Sequence, residues 1–416
     1  MVKFKPYIRR KALNKLFDIQ QIIIGQFEKQ PFYPREIFKR INIDNYITGI
    51  VGSRGIGKTT YLLKHAIESG AKDGFSLYVS ADNLYFLKNP LVELVDQLYK
   101  ETDVRLICID EIHKYPNWNQ ELKNIADTYP EFRILFSGSS TIDLINGKYD
   151  LSRRVTLFYL HGLSFREYLE IKLKKKFPVL QFDEIKKKRT LIGSFTEDNS
   201  ILKHFQDYLR FGYYPFFSLF SQEREKFQAI ENTSQKTIYE DIGTLHSFKT
   251  STLSVIEQLF KFVINSAPGE LSVYKLASNL GKDFESITTY LRYLHEAGLI
   301  RFIYSSSSGN AALRNPIKMY PENTNMIFAS YLPLTQDNVL GKIRETFVIS
   351  QLQNANQTVF YSKEGDFKVN DIIFEVGGAS KTAKQIKGVE NSFILADGIL
   401  VGTNRQIPLY MLGFLY

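Results

Sequence analysis

The chain has 416 residues, 53 basic and 44 acidic side chains, and a formal net charge of +9. It is too long for one ordinary hydrophobic core, which predicts two or three domains. Its single cysteine, Cys108, excludes an internal disulfide and a cysteine-based zinc cluster, and it fits a reducing, cytoplasmic location. No apolar run approaches the roughly 18–20 residues of a membrane span, so no membrane partner is expected.

The first 160 residues alternate short apolar runs with helix-like segments. This alternation predicts a mainly parallel sheet with helices on both faces, preceded by a helical segment over residues 1–45. The predicted strands are 46–51, 76–80, 106–109, 133–136 and 155–160, and the predicted helices are 58–69, 90–100 and 118–129. Ligands bind at the carboxyl ends of such strands, so the polar residues found there are the first candidates for a site.

A glycine-rich loop follows the first predicted strand and opens a helix, which predicts a phosphate-binding loop. Glycines let backbone N–H groups turn toward a phosphate, and the helix N-terminus favours the anion. Lys58 would reach the β- and γ-phosphates of ATP, and the Thr59 hydroxyl would bind Mg²⁺. The predicted nucleotide-binding residues are Gly52, Ser53, Arg54, Gly55, Ile56, Gly57, Lys58, Thr59 and Thr60.

Two carboxylates end the apolar strand 106–109. Asp110 would join Thr59 in holding the Mg²⁺ shell, and Glu111 would orient and polarise the attacking water. The alternative is an exposed acidic pair in a turn. A buried apolar strand directly before the pair favours the catalytic interpretation.

Three further pairs of residues are candidates for contacting or sensing the nucleotide. Ser139, with Ser137 as the second choice, follows the strand 133–136 and could contact the phosphate or the water. Arg154 and Arg153 could stabilise charge on a phosphate bound by a neighbouring subunit, or they could form a surface salt bridge. His113 and Lys114, which follow the two carboxylates, could sense the nucleotide or make only a local hydrogen bond.

Five segments follow one another in an order that resembles one protein family: GIVGSRGIGKTTYLL, LICIDEIHKYPNWNQELKNIAD, ILFSGSS, LSRRVTLFYLHGLSFREYLE and LRFGYYP. Together they resemble the prokaryotic AAA-like ATPases of the archaeal-ATPase type, over nearly the whole chain. The resemblance implies an α/β fold with an AAA-type P-loop NTPase parallel sheet and a helical lid. It further implies that a winged helix-turn-helix and a small PD-(D/E)xK-like α/β domain of unassigned function follow along the chain. It also implies that Arg154 first, and Arg153 second, is the arginine finger or sensor.

The resulting domain prediction has four parts: a P-loop ATPase core with its N-terminal helical segment (1–160), a helical lid (161–249), a winged helix (250–310) and a nuclease-like domain (311–416). In the third part, helices at 253–266, 271–281 and 283–300 precede a strand at 300–304. The third helix of such a module enters the major groove of DNA by its N-terminal half.

The predicted winged helix carries groups that attract phosphate and groups that repel it. Asp283 and Glu285 oppose binding at the start of the third helix, so DNA contact and protein contact both stay open. The residues that could contact DNA are Lys282, Ser286, Thr288, Thr289 and Arg292, with Lys261, Lys275 and Arg301 as further phosphate contacts.

The segment 365–378 resembles the metal-binding hairpin of PD-(D/E)xK nucleases, with Asp366 and Glu375 at the positions of the metal carboxylates. Such nucleases need a lysine two residues after the glutamate, where this chain has Gly377. Lys381 could reach in from the next turn. The missing lysine nevertheless predicts a fold that is kept and a cleavage activity that is lost.

Three functions are compatible with this sequence. The leading one is Mg²⁺-dependent ATP hydrolysis by a homo-oligomer that acts on duplex or branched DNA. The second is an ATP-controlled switch that binds a protein partner. The third is a DNA nuclease gated by ATP.

Overall fold

The computed structural model describes residues 6–43, 45–138, 154–187, 200–266, 272–306, 316–330 and 336–416. The chain divides into two compact units, Met1–His161 and Gly162–Tyr416. The four-part domain division stays a prediction within these two units.

The first unit is built on a five-stranded sheet in which every neighbouring pair is parallel, with the order β2-β3-β4-β1-β5. This confirms the predicted parallel sheet. It also places β4 between the strand before the glycine loop and the strand before the two carboxylates. The strands are β1 Ile47–Val51, β2 Ser76–Ser80, β3 Leu106–Asp110, β4 Arg133–Gly138 and β5 Val155–Tyr159.

Helices of this unit bury apolar side chains against the sheet. In the fourth helix, Leu91, Leu94, Val95 and Leu98 recur at helical spacing and are fully buried, which is typical of a helix with one core-facing stripe. The helices are α1 Pro6–Phe27, α2 Glu36–Arg40, α3 Lys58–Glu68, α4 Leu91–Glu101 and α5 Trp118–Thr128, with short 3₁₀ turns at Leu84–Leu87 and Ile112–Lys114.

Gln20 of α1 holds this helix against β2, the edge strand of the sheet. Its side-chain oxygen accepts a hydrogen bond from the Tyr78 amide at 2.5 Å, and its nitrogen donates to the Ala71 carbonyl at 2.9 Å. Gln20 is fully buried. An edge strand exposes unpaired amides, so this side chain satisfies a group that the sheet itself leaves open.

The second unit begins with a helical region and ends in a mixed sheet. Its helices are α6 Phe165–Leu173, α7 Phe182–Lys187, α8 Ile201–Asp207, α9 Glu223–Lys236, α10 Gly243–His246, α11 Thr250–Asn265, α12 Val273–Leu280, α13 Phe284–Glu296, α14 Thr324–Ala329 and α15 Gln336–Asn354. Single π-helical turns lie at Tyr208–Gly212 and Thr237–Ile242, and 3₁₀ turns at Pro215–Leu219 and Leu409–Phe414.

The sheet of the second unit has seven strands in the order β12-β11-β10-β9-β8-β6-β7. Its strand β6 pairs antiparallel with β7 and parallel with β8, so the strand predicted for the winged helix shares one sheet with the predicted nuclease-like hairpin β9–β10. The strands are β6 Ile300–Ser305, β7 Lys318–Pro321, β8 Val359–Tyr361, β9 Phe367–Val369, β10 Ile372–Gly377, β11 Ser392–Ala396 and β12 Gln406–Pro408.

Arg301 of β6 is the centre of a buried polar network. Its guanidinium pairs with the Glu322 carboxylate, donates to the Glu322 carbonyl at 2.9 Å, and donates to Asn354 at 2.7 Å and Gln353 at 3.1 Å. The residue is 6% exposed. The prediction that Arg301 contacts DNA phosphates is therefore wrong, because its guanidinium is buried and already donates hydrogen bonds to Glu322, Gln353 and Asn354.

Asn325 of α14 satisfies backbone groups that the π-helical turn at 208–212 leaves unpaired. Its side-chain nitrogen donates to the Tyr208 and Leu209 carbonyls, and its oxygen accepts from the Tyr213 amide at 2.8 Å. A π turn disturbs the regular ladder, and buried backbone groups must find other partners. This contact ties the helical region to the segment after β7.

No helix in the described ranges is both long and apolar enough to cross a membrane.

Replacing Gln20 with leucine is expected to lower the free energy of unfolding of the first unit by about 1–3 kcal/mol, because the buried Tyr78 amide loses its acceptor. The chain has one tryptophan, Trp118, which is buried in this unit. Urea denaturation followed by its fluorescence therefore reports on the first unit. The matched control is Gln26→Leu, an exposed position of the same helix, expected within about 0.5 kcal/mol of wild type. Equal stability of the two variants would contradict the role given to Gln20.

Candidate active site

The glycine loop joins β1 to α3 at the carboxyl end of the sheet, and the nine predicted nucleotide-binding residues lie together in it and in the first turn of α3. Gly57 precedes the helix with φ 100°, a left-handed conformation that favours glycine. Gly52 has φ 151°, and a Cβ there would lie 2.2 Å from the Leu160 carbonyl oxygen. A side chain at Gly52 would therefore collide with the backbone of the chain that leaves β5.

Lys58 lies over this loop, with its side chain pointing back to the loop backbone. Its ammonium group donates to the Gly52 and Ser53 carbonyls, each at 2.7 Å, and the residue is 8% exposed. The amine therefore lies against the glycine loop, where the phosphates of ATP are expected to bind. Binding ATP would exchange neutral carbonyl acceptors for charged phosphate oxygens, which make stronger hydrogen bonds.

Arg35 braces the loop from the segment before α2, and sequence reasoning missed it. Its guanidinium donates to the Ile56 carbonyl at 3.3 Å and to the His161 carbonyl at 2.7 Å, and the residue is 6% exposed. It thereby joins the glycine loop to the chain that leaves β5. Nothing in the sequence indicates this contact, because the partners are far apart along the chain.

Asp110 is the acceptor that connects four elements of the site. Its carboxylate accepts hydrogen bonds from Thr59 Oγ1 at 2.7 Å, from the Tyr78 hydroxyl at 3.0 Å and from the Ser137 hydroxyl. Strand order explains the set, because β3 lies between β2, which carries Tyr78, and β4, which carries Ser137. Burial, followed by the Asp110 charge, raises the pKa of Tyr78 well above its usual value, so the phenol stays a donor.

The residues present fit a Mg²⁺ ion bound together with ATP. Thr59 and Asp110 place a hydroxyl and a carboxylate oxygen side by side, and Mg²⁺ prefers such oxygen ligands. Within the described residues, no group of three or more His, Cys, Asp and Glu could hold a metal alone. When bound with ATP, Mg²⁺ usually takes its other ligands from phosphates and water, and it neutralises charge on the phosphates.

Glu111 follows Asp110 in a left-handed conformation, with φ 52° and ψ 47°. Its amide donates to the Ser137 hydroxyl at 2.8 Å. Its carboxylate forms an ion pair with Lys114 and a longer one, 3.8 Å, with Arg54. Unfavourable backbone conformations often persist at functional sites, where neighbouring contacts hold them. Glu111 is thus held directly after β3 by its contacts with Ser137, Lys114 and Arg54, and its role toward the attacking water stays a prediction.

The structure separates the remaining candidates. Ser139 and Arg153 lie outside the described residues. Ser137, the second choice after Ser139, is fully buried and orients Asp110 and Glu111. Arg154 lies next to the start of β5, at the end of the strands opposite the glycine loop, and pairs with Asp127 at 2.9 Å. It cannot serve the loop of its own chain, so its role toward a neighbouring subunit stays a prediction.

Replacing Ser137 with alanine is expected to weaken Mg²⁺-dependent ATP binding about 10–100-fold, because Asp110 loses the donor that orients it. Titration calorimetry with ATP, in Mg²⁺ and in EDTA, measures this effect. Binding in EDTA should change little, since the loop contacts remain. Ser139→Ala is the comparison: a phosphate sensor would slow hydrolysis and leave Mg²⁺ affinity unchanged. Wild-type Mg²⁺-dependent binding by Ser137→Ala would contradict the role given to this hydroxyl.

Comparison with known proteins covers both units. Residues 44–169 match the family model described as an AAA domain, and residues 202–321 match that of a domain of unknown function, DUF8612. Two proteins of Methanocaldococcus jannaschii are similar over most of the chain. Uncharacterized protein MJ1637 is 26% identical over 98% of this chain and 92% of its own length. Uncharacterized protein MJ1544 is 26% identical over 87% and 80%.

Solved structures with partial similarity include AMPPCP-bound DnaA from Aquifex aeolicus, 18% identical over 63% of this chain and 85% of that chain, with a TM-score of 0.27. The Hsp104–ADP complex of S. cerevisiae is 12% identical over 64% and 40%, with a TM-score of 0.31. TM-scores this low carry no argument about function. The family match, together with the site geometry, identifies residues 44–169 as an AAA-type P-loop ATPase domain in a chain homologous to uncharacterized archaeal proteins.

Proposed function

We propose that this protein is an oligomeric, Mg²⁺-dependent AAA-type ATPase that acts on DNA. The observation that carries the hydrolytic part is the connected set Thr59–Asp110–Ser137–Glu111 beside Lys58. These residues come from one helix, two strands and the residue that follows β3, yet their polar groups converge at the carboxyl end of the sheet. Phosphoryl transfer to water depends mainly on positioning and on stabilising charge, and this set provides for both.

Each group has a distinct task in the proposed reaction. Lys58 exchanges its loop carbonyls for the β- and γ-phosphates, and the loop amides hold the phosphate chain. Glu111 accepts a hydrogen bond from the attacking water and aligns it with the γ-phosphorus. The Ser137 hydroxyl bonds to both the Asp110 carboxylate and the Glu111 amide. It thereby fixes the distance between the proposed ion site and the proposed water site.

The proposed oligomer rests on the position of Arg154. This arginine lies directly before β5, at the end of the strands opposite its own glycine loop, and its guanidinium is partly exposed and pairs with Asp127. A cation that stabilises the transferring phosphoryl group can come from another subunit. Arg154 of a second copy would supply that charge, which makes hydrolysis depend on assembly.

The proposed DNA contact rests on the geometry of residues 250–305. Helices α11, α12 and α13 lead directly into the antiparallel pair β6–β7, the element order of a winged helix-turn-helix. Tyr274 is 72% exposed, and Lys275 and Lys282 are exposed cations of the same module. Asp283 is occupied as the helix cap, accepting from the Ser286 amide and hydroxyl. The cap weakens its repulsion of phosphate without removing its charge.

Steady-state hydrolysis tests both parts of the proposal. We expect Mg²⁺-dependent ATP turnover that linear or four-way branched DNA stimulates, with Glu111→Gln as the inactive blank and Lys58→Ala as the binding-deficient control. A slow rate that is indifferent to every DNA would remove the DNA part and favour an ATP-controlled switch that binds a protein. Absence of turnover in every condition, including high protein concentration, would remove the hydrolytic part.

The double variant Lys275→Glu/Arg292→Glu is expected to reduce DNA stimulation and leave the DNA-free rate unchanged, because both side chains are exposed in the predicted DNA-binding module. The salt dependence of DNA affinity should become shallower by the loss of two phosphate contacts. Lys236→Glu on α9, an exposed lysine outside the module, is the matched control. Equal loss of stimulation by both proteins would contradict the assigned surface.

A second candidate, a DNA nuclease gated by ATP, is favoured by Lys381. Its ammonium group lies 2.5 Å from Glu375 Oε1, and a Cβ at Gly377 would lie 2.5 Å from Lys381 Cγ. The lysine therefore occupies the space above Gly377, where the resemblance placed the missing lysine. Burial raises the pKa of Glu375, and the Lys381 charge opposes that shift. This candidate stays second because the position two residues after Glu375 is Gly377, so the lysine comes from outside the hairpin.

Plasmid cleavage with Mg²⁺ or Mn²⁺ tests the nuclease directly. An intrinsic activity gated by ATP would lose its dependence on ATP in Lys58→Ala while cleavage itself remains, and it would disappear with Glu375→Gln and with Lys381→Met. Lys384→Met, an exposed lysine three residues further along, is the matched control. No cleavage by the wild-type chain with either metal, with or without ATP, would remove this candidate.

A further inference from the structure

We propose that the groove between helix α13 and the β6–β7 pair binds a small organic cation, in which an amine or amidinium group is attached to an aromatic body. This cavity, called the α13 groove below, is formed by residues of the second unit alone. The inference goes beyond the proposed function, because it depends neither on ATP hydrolysis nor on DNA contact.

The α13 groove lies where one face of α13 does not pack fully against the strand pair. Thr288, Leu291 and His295 recur at helical spacing and line one side. Phe302 of β6 lines the other side, and Met319 of β7 lies directly opposite Phe302 in the antiparallel register. The cavity has a volume of about 350 Å³. This is near the small end of the range for ligand pockets, so the ligand has about one or two rings.

The inner surface of the groove is apolar and aromatic. Leu291, Phe302 and Met319 are buried, and Tyr304 is half-buried. The Tyr304 ring stands edge-on to Phe302, with ring centroids 6.2 Å apart and an interplanar angle of 87°. Aromatic walls bury a ligand ring favourably, and the faces of such rings also attract a cation. The groove can therefore hold both parts of an aromatic amine.

Glu296, the last residue of α13, supplies negative charge to the groove. Its Oε2 atom is buried and has no hydrogen-bond partner among the residues that the structure describes. Burial raises the pKa of this carboxyl, and the Arg292 charge opposes that shift. A buried acceptor that stays unpaired costs free energy, so a donor from a ligand would be stabilising at this position.

Arg292, one turn before Glu296, does not supply that donor. Its Nε atom lies 3.9 Å from Glu296 Oε1, which is beyond hydrogen-bond distance, and its side chain is 60% exposed. The contact also involves Oε1 and not the buried Oε2. Exposed ion pairs contribute little attraction. A ligand cation can therefore reach Glu296 without breaking a strong contact.

The end of the helix favours a cation over an anion. The last turn of a helix carries partial negative charge, and Glu296 adds to it. Burial lowers the pKa of the neighbouring His295, whose Nδ1–H donates to the Ile300 carbonyl at 3.0 Å. The ring is then neutral, and its Nε2 is a further acceptor. The groove thus offers acceptors and negative charge, which disfavour phosphates and carboxylates as ligands.

Matched indole compounds test the site in the full-length protein. We expect tryptamine, which carries an ammonium group, to bind at least about 10-fold more tightly than tryptophol, which has a hydroxyl in its place. Indole-3-acetate, an anion with the same ring, should not bind. Titration calorimetry measures the three affinities. Glu296→Gln should lower tryptamine affinity to that of tryptophol, whereas Glu285→Gln, an exposed carboxylate at the other end of α13, should leave it unchanged.

Thermal unfolding separates this role from a structural one. A carboxylate at a helix C-terminus opposes the helix dipole, so Glu296→Gln should unfold at the wild-type temperature or above it. A lower unfolding temperature would indicate that Glu296 serves the packing of α13 and would count against the ligand site.

Methionine methyl NMR locates the bound compound. Met319 lines the groove, whereas Met326 and Met411 are buried elsewhere in the second unit. Tryptamine should shift the Met319 methyl signal, because an indole ring would lie beside it, and leave the other two signals unchanged. Met319→Leu assigns the signal.

Four results would overturn the ligand site. They are the absence of saturable tryptamine binding at millimolar concentration, equal binding of tryptamine and indole-3-acetate, wild-type tryptamine affinity in Glu296→Gln, and binding that leaves the Met319 signal in place.

Discussion

The carboxylate of Asp110 is the interaction on which the candidate site depends. It is nearly buried and accepts hydrogen bonds from a helix residue, Thr59, and from two flanking strands through Tyr78 and Ser137. A buried carboxylate is costly unless its oxygens are satisfied, so these donors must be in place for the sheet edge to form. The same contacts fix the spacing between the glycine loop and the strand that carries Glu111.

The order of the strands explains how these side chains come together. Because β4 lies between β1 and β3, its carboxyl end reaches both the loop and the two carboxylates, and Ser137 can bond to consecutive residues of β3. Arg35 then secures the far side of the loop by holding the Ile56 and His161 carbonyls. The glycine loop is therefore supported from two directions. Preorganised donors of this kind cost little rearrangement when a charged ligand arrives.

The second unit joins a helical region to a mixed sheet. It does so with buried polar contacts, chiefly the ion pair Arg301–Glu322 and the amide of Asn325. A third contact is Lys342, whose buried ammonium group donates to three carbonyls at the end of α11, including that of Ser266 at 2.7 Å. Such contacts are specific rather than strongly stabilising, since desolvation offsets much of their attraction. They fix how the predicted DNA-binding helices meet the sheet that carries Glu375.

The sequence by itself determined the local features of this protein. Apolar runs, the glycine loop and the acidic strand end were sufficient to predict the parallel sheet and the positions of Lys58, Thr59, Asp110 and Glu111 at the carboxyl end of its strands, because each signal lies within a few neighbouring residues. Tertiary structure alone decided which distant side chains complete the site. Tyr78 belongs to no sequence motif. The sequence predicts Arg301 to be a surface cation, whereas the fold buries it against Glu322. Lys381 stands over Gly377 only because the turn after β10 folds back. These contacts join residues that the chain keeps apart, and strand order and burial, which no local pattern encodes, bring them together.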